Sequence, residues 1–375
     1  MMGLSFETKT PNEMQNNTNL HNAKKAKNDE FYTLLTDIEK ELKHYKFFFK
    51  GKKILCNCND DRWSSFFQYF SMNYEHLGLT GLTCVSYNPN GHAKKYTYNG
   101  DVNGNRIPGT NEITETELQG NGDFNSEECI ELLKDSDVVV TNPPFSLFRD
   151  FVALLMEQNK KFLIIGNMNA ITYNDIFPHI KRNELWLGVS SFNRDAYFKV
   201  PKDYIYADTY KFKREINNVK VCRVAGVCWF TNIPHSKRNE PLDLWKKYNP
   251  QEYPKYDNYD AIECSKTANI PMDDYIEIEI NEDELDRQKS VYGDDLEIIK
   301  EIGNIRKKIK IRIKNPIYGV PITFLDKYCP TQFEIVDIMT GAKRNGFING
   351  NDGRTKFYIN NKGVYARILI KRVSE

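Results

Sequence analysis

The chain has 375 residues with a formal net charge of +1, and 40% of its residues are hydrophobic. This length suffices for a large core and predicts two domains. A balanced charge neither requires nor excludes a nucleic-acid partner, so any basic binding surface has to be local. No apolar run reaches membrane-spanning length and the N-terminus lacks a signal-peptide core, so we expect a cytoplasmic protein with no membrane partner.

The cysteines indicate a reducing compartment rather than a disulfide framework. The eight cysteines are scattered without a C-x-x-C pair, and Cys84, Cys222 and Cys228 lie in apolar, strand-like segments. Cys56 and Cys58 lie close together, but no histidine cluster completes a set of zinc ligands. We therefore expect packed thiols and no structural metal.

The N-terminal segment, residues 1–28, is polar and predicts a flexible arm. Asp29 and Glu30 then precede apolar residues at helical spacing. These are Leu34, Leu35, Ile38, Leu42 and Tyr45. Because acids suit the positive end of a helix, we expect an amphipathic helix that opens within residues 29–33.

The first βα unit follows this helix. Residues Lys53–Asp61 predict a strand that ends in polar and acidic residues, and an aromatic-rich helix comes next. The loop between them is a natural cofactor site. The chain contains neither G-x-G-x-x-G nor G-x-x-x-x-G-K-[ST], which argues against dinucleotides and nucleoside triphosphates. A second strand is expected at Leu82–Tyr87.

The segment Asp101–Glu112 imitates a calcium-binding loop. Oxygen-bearing residues occupy its positions one, three, five and twelve, but Arg106 stands where an EF-hand turn needs glycine. Pro108 is a further mismatch. We favour a plain asparagine-glycine loop, with calcium as the alternative.

A second loop, Gly120–Phe124, precedes a short helix expected at Ser126–Lys134. Asp123 offers a carboxylate for hydrogen bonding and Phe124 offers a ring for stacking, a combination that suits an adenine. The same residues also fit a glycine turn before a helix N-cap. The residues alone leave both interpretations open.

The most informative stretch is Asp137–Phe145. Residues Asp137–Thr141 predict a buried parallel strand, because they are rich in valine and too few for a helix. Pro143 and Pro144 then fix φ, remove two backbone donors and hold Asn142 extended. An amide side chain and a proline carbonyl thus follow the carboxyl end of a strand, where open α/β sheets bind ligands.

Two such oxygens suit a planar amino group whose lone pair is delocalised into a ring or a carbonyl. They can accept both amino hydrogens while Phe145 stacks on the ring, so positioning and electrostatics favour attack by the nitrogen on an electrophile. An ordinary turn is the alternative, since Asn-Pro and Pro-Pro are common breakers. The strand before the motif and the helical pattern after it favour the functional interpretation.

The remaining alternation of strands and helices predicts a doubly wound α/β fold. The expected elements are a helix to Gln158, a strand at Lys161–Asn167, a helix through Ile180, a strand at Leu185–Val189 and a hairpin at Val219–Ile233. The composition changes after about His235. We therefore expect a catalytic domain at 29–235 and a second domain at 236–375.

The second domain contains an acid-rich stretch from Glu277 to Asp295 and then an alternating strand. Ile309, Ile311 and Ile313 fall on one face of this strand. The basic residues of the segment are Arg306, Lys307, Lys308, Lys310, Arg312 and Lys314. A solvated charged face is the default interpretation, and contact with nucleic-acid phosphates is the competing one.

Three motifs in order resemble the amino-group DNA methyltransferases that use S-adenosylmethionine. They are Phe31-Tyr32-Thr33, Gly122-Asp123-Phe124 and Asn142-Pro143-Pro144-Phe145. Their order, with the variable region last, is similar to the gamma arrangement. Further blocks resemble the EcoRI-type adenine-N6 methyltransferases: Lys27–Thr33, Tyr98–Asp101, Phe162–Asn167, Trp229–Asn232 and Gly319–Phe324.

The resemblance implies roles for individual residues. The cofactor-binding residues are implied to be Phe31, Tyr32, Thr33, Cys56, Asn57, Asp60, Asp123 and Phe124. The catalytic residues are implied to be Asn142, Pro143, Pro144 and Phe145. Phe145, with Trp229 or Phe230 on the other face, would enclose a base that has been flipped out of the duplex.

The resemblance also implies the function. The protein would be a Rossmann-like, site-specific adenine-N6 methyltransferase for double-stranded DNA, with S-adenosylmethionine as methyl donor and 236–375 as target-recognition domain. A cognate restriction endonuclease is the partner that this implies, and the lack of a self-association stretch leads us to expect a monomer. The alternatives are methylation of RNA bases or glutamine amides, and a catalytically vestigial DNA-binding protein.

Three features are departures, the first two from the usual methyltransferase signature and the third from the EcoRI-type pattern. The loop Cys56–Asp60 lacks the usual glycines, and the second strand ends at Val85–Asn88 without the acid that commonly holds the ribose. The stretch 276–318 is additional to the pattern, and we expect it to be a charged insertion.

Overall fold

The structure is a computed structural model that describes residues 32–59, 64–105, 107–190, 196–202, 204–257, 259–302, 308–339 and 357–373. These residues pack as two compact units. The first unit runs to Ala170 and resumes at Leu185–His235, and the second contains Ile171–Glu184 and the chain from Ser236 onward. The expected arm at 1–28 lies outside the described residues.

The described part of the first unit contains twelve strands in two sheets. In chain order they are β1 (Tyr32–Thr33), β2 (Lys53–Asn59), β3 (Gly81–Ser86), β4 (Lys94–Tyr98), β5 (Ile113–Glu117), β6 (Val138–Thr141), β7 (Lys161–Asn167), β8 (Trp186–Leu187), β9 (Ala196–Lys199), β10 (Glu215–Ile216), β11 (Val219–Val224) and β12 (Val227–Thr231). Eight form a mixed sheet in the order β5-β4-β3-β2-β6-β7-β12-β8, so the chain is a mixed α/β protein. The others form a small antiparallel sheet in the order β1-β9-β11-β10.

The helices of this unit are α1 (Leu35–Leu42), α2 (Lys46–Phe49), α3 (Ser65–Met72), α4 (Tyr74–Leu77), α5 (Glu127–Asp135) and α6 (Phe148–Glu157). Serines at the N-caps of α3 and α5 stabilise their first turns. The hydroxyl oxygen of Ser64 accepts the Phe67 amide at 3.1 Å, and that of Ser126 accepts the Cys129 amide at 3.3 Å.

The order of the parallel strands places a crevice between β2 and β6. The chain passes from β2 to β3 on one side of β2 and later adds β6 on the other side. Strand β7 then continues the sheet beyond β6. Ligands bind at such a reversal of strand order, beside the carboxyl ends of the strands.

Two expected elements of the first unit differ from the structure. Tyr32 and Thr33 do not open a helix: they form β1, which pairs with the distant β9, and α1 begins at Leu35. Val219–Ile233 is not a hairpin, because β11 pairs with β9 and β12 pairs with β7 and β8. Strand β12 is buried along most of its length, so it needs neighbours on both sides in the large sheet.

The second unit contains the remaining elements. Its strands are β13 (Lys255–Tyr256), β14 (Tyr259–Glu263), β15 (Tyr275–Asn281), β16 (Leu296–Ile302), β17 (Lys308–Lys314), β18 (Tyr318–Pro321), β19 (Phe333–Met339), β20 (Phe357–Ile359), β21 (Lys362–Val364) and β22 (Arg367–Arg372). Its helices are α7 (Phe177–Lys181) and α8 (Glu282–Tyr292). A five-stranded sheet runs β13-β14-β18-β22-β19 and a three-stranded one runs β15-β17-β16. The alternation in β17 is confirmed, since Ile309, Ile311 and Ile313 are buried.

The acids of Asp101–Glu112 hold the backbone of their own loop. The Glu112 carboxylate accepts the amides of Val102 and Gly109, each at 2.9 Å, and Asp101 accepts the Gly104 amide at 2.8 Å. Arg106 lies outside the described residues. Within the described ranges, no group of three or more His, Cys, Asp or Glu side chains is arranged to hold a metal ion. In that same part of the chain, no helix has both the length and the apolar character needed to cross a membrane.

Candidate active site

The carboxyl ends of β2 and β6 lie side by side at the strand-order reversal. Strand β6 runs parallel to β2 through Ile54 and Leu55, and the Thr141 hydroxyl donates to the backbone carbonyl of Asn57. Asn142 therefore enters the crevice directly beside the last residues of β2. The expected strand at Asp137–Thr141 is confirmed except for Asp137, whose carboxylate accepts the Lys53 amide at 2.8 Å.

The oxygen atoms of the Asn142 motif differ in their surroundings and hydrogen bonds. The side-chain oxygen of Asn142 is buried, although the residue as a whole is half-buried. The Pro144 carbonyl accepts the Leu147 amide at 2.9 Å, which closes the short helical turn Phe145–Leu147. The Pro144 carbonyl therefore takes part in this turn, while the Pro143 carbonyl is the acceptor that the family resemblance implies.

Phe145 is linked to the small sheet through Phe198. The two rings are edge to face, with centroids 6.4 Å apart and planes at 89°. Phe198 lies on β9, where its backbone is paired with Thr33 of β1. The fold thus brings the first and third sequence motifs together, although more than a hundred residues separate them in the chain.

Thr33 carries a polar atom that suits a ligand. The residue is 6% exposed, and its hydroxyl oxygen is buried without a hydrogen-bond partner among the described residues. Leaving a buried hydroxyl unsatisfied costs about 1–3 kcal/mol. A ligand that hydrogen-bonds this oxygen would remove that cost. Tyr32 is half-buried beside it, and Phe31 lies outside the described residues.

The end of β2 contributes one core side chain and one polar side chain. Cys56 is 0% exposed and is paired in register with Cys84 of β3, and burial raises the pKa of its thiol well above the usual value. Asn57 is 3% exposed and lies next to Thr141. Cys56 therefore belongs to the core and Asn57 to the site edge, while Asp60 lies outside the described residues.

The Gly120–Phe124 loop packs over the end of β3. Gly122 has φ +83°, and a Cβ atom there would lie 2.2 Å from the carbonyl oxygen of Ser86, the last residue of β3. Asp123 is exposed, and its carboxylate accepts the Asn125 amide at 2.9 Å. Since β3 neighbours β2, the Asp123 loop lies at the same edge of the sheet as Asn57 and Asn142.

Glu128 holds this loop in place, a role that the sequence did not suggest. Its carboxylate accepts the Gln119 amide at 3.0 Å and the Gly120 amide at 2.9 Å. These backbone hydrogen bonds, from Gln119 first and Gly120 second, lower the pKa of Glu128. A Glu in the first turn of α5 is the sequence signal that could have indicated an acid facing the loop.

Two of the aromatic residues assigned to ligand stacking pack behind the motif instead. Phe124 is 5% exposed and lies edge-on to Phe151, with centroids 5.0 Å apart. Phe230 is 0% exposed and contacts Phe148, also at 5.0 Å. Both partners lie on α6, so these rings anchor the helix that follows the motif. Neither ring has an open face for a base in the described conformation.

Trp229 points to the opposite side of the sheet from Phe230. Its ring is 6% exposed and lies edge-on to Phe66 of α3, with centroids 6.2 Å apart. It belongs to the hydrophobic cluster against which Phe145 packs. Of the two late aromatic residues, Trp229 is therefore the one on the side of Phe145.

The basic residues of β17 are paired with acids from the flanking strands. Arg312 contacts Glu277 of β15 at 2.8 Å and Glu297 of β16 at 3.5 Å, and Lys310 contacts Glu277 at 2.7 Å. Lys308 lies 4.0 Å from Glu279. This face carries both signs of charge, and a phosphate would have to compete with these carboxylates. Arg306 and Lys307 lie outside the described residues, and Lys314 is exposed at the end of β17.

The segment 204–214 and strand β11 carry a different cluster, which no sequence pattern had indicated. Its aromatic residues are Tyr204, Tyr206, Tyr210 and Phe212, and its basic residues are Lys211, Lys213, Arg214, Lys220 and Arg223. The Arg223 guanidinium lies 4.1 Å from the centre of the Phe212 ring, and the Arg214 guanidinium lies 4.9 Å from that of Tyr206. We call these nine residues the basic-aromatic face. Of the nine, Lys220 and Arg223 lie on β11, which pairs with β9, the strand of Phe198.

The chain is similar to known proteins over nearly its whole length. The family model of the EcoRI adenine-specific methyltransferase matches residues 19–287 and 297–373. Most of the stretch 276–318 is therefore included in the match, and residues 288–296 are not. No solved structure matches the chain.

Three relatives align with this chain over nearly the whole length of both proteins. Type II methyltransferase M.EcoRI of Escherichia coli is 38% identical over 364 residues, which cover 94% of this chain and 95% of that protein. M.MgeORF184P of Mycoplasma genitalium is 38% identical, covering 93% and 97%, and M.MpnI of Mycoplasma pneumoniae is 36% identical, also covering 93% and 97%. The chain belongs to the EcoRI family of adenine-specific methyltransferases.

Proposed function

We propose that this protein transfers a methyl group from S-adenosylmethionine to N6 of a flipped-out adenine at one short sequence of double-stranded DNA. The observation that carries the proposal is the position of Asn142-Pro143-Pro144-Phe145 at the strand-order reversal, beside β2. Family membership supplies the reaction: methylation of DNA adenine in a restriction-modification context. It also favours DNA over RNA bases or glutamine amides, and an intact motif argues against a vestigial site.

The residues at this edge of the sheet fit the cofactor. S-adenosylmethionine, when bound, supplies the electrophilic methyl group. Thr33 offers a buried hydroxyl that lacks a partner among the described residues, which suits the polar methionine end. Asn57 lies at the edge of the site, at the end of β2. Asp123 is exposed on its loop, and its carboxylate can accept a hydrogen bond from the amino group of the cofactor's adenine. A cofactor bound at the carboxyl ends of the strands is expected for a doubly wound, Rossmann-like methyltransferase.

The motif residues act on the target base. The side-chain oxygen of Asn142 and the backbone oxygen of Pro143 accept the two N6 hydrogens, which directs the nitrogen lone pair out of the ring plane. Phe145 stacks on the base and holds it at this distance. The oxygens also stabilise the positive charge that develops on N6 as it is methylated, until N6 releases one of its hydrogens to water as a proton. Because these atoms lie inside a crevice, the adenine has to leave the duplex to reach them.

The second unit is proposed as the target-recognition domain. The relatives of the chain are named Type II methyltransferases, so a restriction endonuclease with the same site is the proposed partner. We assign the phosphate contacts nearest the target to the basic-aromatic face, because its residues Lys220 and Arg223 lie on β11, which pairs with the strand of Phe198. The face also has five basic residues against the two acids within residues 204–223. Basic residues interleaved with aromatic ones suit phosphates and splayed bases.

The experiment compares the protein with its Asn142→Ala variant in a bacterial host that lacks adenine methylation. Single-molecule sequencing of the host DNA should show N6-methyladenine at one short motif with the wild type. Loss of one acceptor should lower turnover by about a hundredfold or more, while DNA and cofactor binding persist. A variant that methylates at the wild-type rate would contradict the assigned site. Unmodified DNA from a wild type that binds S-adenosylmethionine would contradict DNA as substrate.

A further inference from the structure

Glu41 is a buried carboxylate that the proposed chemistry does not use. It lies on α1 next to Ile38 and Leu42, and it is 0% exposed. A carboxylate removed from water costs several kcal/mol unless hydrogen bonds satisfy it. The groups that hydrogen-bond to the Glu41 carboxylate therefore indicate its role.

Backbone amides from a distant loop satisfy the carboxylate. Val189 donates to Oε1 and Ser190 donates to Oε2, each at 2.7 Å. The Tyr45 hydroxyl adds a third hydrogen bond to Oε1 at 2.8 Å, and burial followed by the Glu41 charge raises the pKa of Tyr45. The loop is fitted closely around this group: a Cβ atom at Gly188 would lie 2.3 Å from Oε1 and 2.6 Å from the Cβ of Trp229.

The two segments that Glu41 joins both lead to the site. Helix α1 begins two residues after Thr33, which carries the buried hydroxyl. The 188–190 loop follows β8, and the next strand along the chain is β9, which pairs with β1 and places Phe198 against Phe145. Residues 191–195, between the loop and β9, lie outside the described residues. Glu41 therefore joins the helix that follows β1 to the loop that precedes β9 in the chain.

We propose that Glu41 is a positioning residue for methyl transfer, which holds the 188–190 loop so that β9 presents Phe198 to Phe145 in the productive geometry. This inference rests on the proposed function. The carboxylate acts through the loop and touches neither the base nor the cofactor. A purely structural anchor would change the stability of the protein without changing the rate of the folded molecules.

The test uses Glu41→Gln, which keeps the shape of the side chain. The amide retains one acceptor oxygen but turns an NH2 group toward a backbone N–H, so one of the two loop amides loses its acceptor. Displacements of about 1 Å at a reacting centre cost on the order of a hundredfold in rate. We expect the single-turnover methylation rate at saturating DNA and S-adenosylmethionine to fall by about tenfold to a hundredfold. It should do so at a temperature where thermal unfolding shows the variant to be folded.

Matched variants distinguish the effect of the loop contacts from the effect of other changes on or near α1. Glu39→Gln removes an exposed carboxylate from the same helix and should leave the rate unchanged. Tyr45→Phe removes the third hydrogen bond but keeps both loop amides, so it should change the rate by less than about threefold. A Tyr45→Phe variant as slow as Glu41→Gln would overturn the role of the loop contacts.

A double variant tests the route through Phe198. If Glu41 acts by placing β9, adding Phe198→Leu to Glu41→Gln should slow the reaction far less than the product of the two single effects. Independent effects, or a folded Glu41→Gln variant with the wild-type rate, would overturn the inference. Wild-type protein is measured in the same assay: if it methylates no DNA, the proposed function fails instead.

Discussion

The ring of Phe198 meets the ring of Phe145 edge to face, with planes at 89°. Phe198 is 2% exposed and its backbone is fixed by pairing with Thr33 and Cys222, so it forms a rigid support. Phe145 itself is half-buried, which leaves part of its surface for a ligand. The orientation of the Phe145 ring is thus set by a strand that lies outside the large sheet.

Replacing this support should affect the chemistry more than cofactor binding. Phe198→Leu keeps an apolar side chain but removes the edge contact, which is worth about 0.5–1.5 kcal/mol beyond its buried area. We expect the single-turnover methylation rate to fall by about tenfold while the affinity for S-adenosylmethionine stays within about threefold. Rapid-quench kinetics and equilibrium binding measure the two quantities. A large loss of cofactor affinity with an unchanged rate would show that Phe198 serves β1 rather than Phe145.

Thr33→Val should lower the affinity for the cofactor without lowering the stability of the unliganded protein. Valine has the shape of threonine but lacks the hydroxyl, which is buried without a partner among the described residues. The unliganded variant should therefore be as stable as the wild type or more stable, by up to about 1–3 kcal/mol. If the hydroxyl binds the cofactor, affinity for S-adenosylmethionine should drop by roughly tenfold. Thermal unfolding and calorimetric titration give the two values, and unchanged affinity would remove Thr33 from the cofactor site.

The strand that leads into the Asn142 motif was predictable because its signals are local. A short valine-rich run followed by Asn142 and two prolines indicates the end of a buried strand, and the structure has β6 there. The strand at Lys161–Asn167 and the alternating isoleucines of β17 are local patterns of the same kind, and both are confirmed.

Pairings between distant segments could not be predicted in this way. Tyr32 and Thr33 look like a helix start, but they gain hydrogen bonds from β9, which is more than 160 residues away. Strands β11 and β12 look like a hairpin because only Ala225 and Gly226 separate them, yet each completes a different sheet. Tertiary pairing overrides local preference in both cases.

The sequence also could not show which side chains are buried in the core and which face a ligand. Phe124 and Phe230 stand in motifs that suggest stacking, but no sequence pattern distinguishes a ring that faces a ligand from one that packs on α6. Glu41 did leave a signal: it follows Ile38 by three positions and so falls on the apolar side of α1. An acid in that place indicates a buried partner, and its identity required the fold.

Gly122→Ala should weaken cofactor binding by displacing the Asp123 loop. The added Cβ would lie 2.2 Å from the Ser86 carbonyl oxygen and 2.8 Å from the Cβ of Ala93, so the backbone has to shift. Gly104→Ala is the matched control, because Gly104 has a similar φ of +79° but no atom within 4 Å of the added Cβ. Both variants incur backbone strain of about 1 kcal/mol. Only Gly122→Ala should lose affinity for S-adenosylmethionine in a titration, and equal losses would show that strain alone is responsible.

The two basic surfaces can be distinguished by their contribution to DNA affinity. On the basic-aromatic face, Lys211, Lys213 and Arg214 are exposed. On β17, Lys310 and Arg312 are within ion-pair distance of Glu277. A basic residue that already contacts a carboxylate gains little by exchanging it for a phosphate, whereas an exposed one releases counterions on binding.

We therefore expect the triple variant Lys211→Ala, Lys213→Ala, Arg214→Ala to bind DNA more weakly and with a shallower salt dependence. The slope of log affinity against log salt should decrease by about one for each phosphate that the variant no longer neutralises. The triple variant Lys308→Ala, Lys310→Ala, Arg312→Ala removes the same number of positive charges and should change the slope less. Fluorescence anisotropy with a duplex at several salt concentrations measures both slopes. If the β17 variant shows the larger decrease in slope, the phosphate-binding surface lies in the second unit, in agreement with the competing interpretation of that strand's sequence.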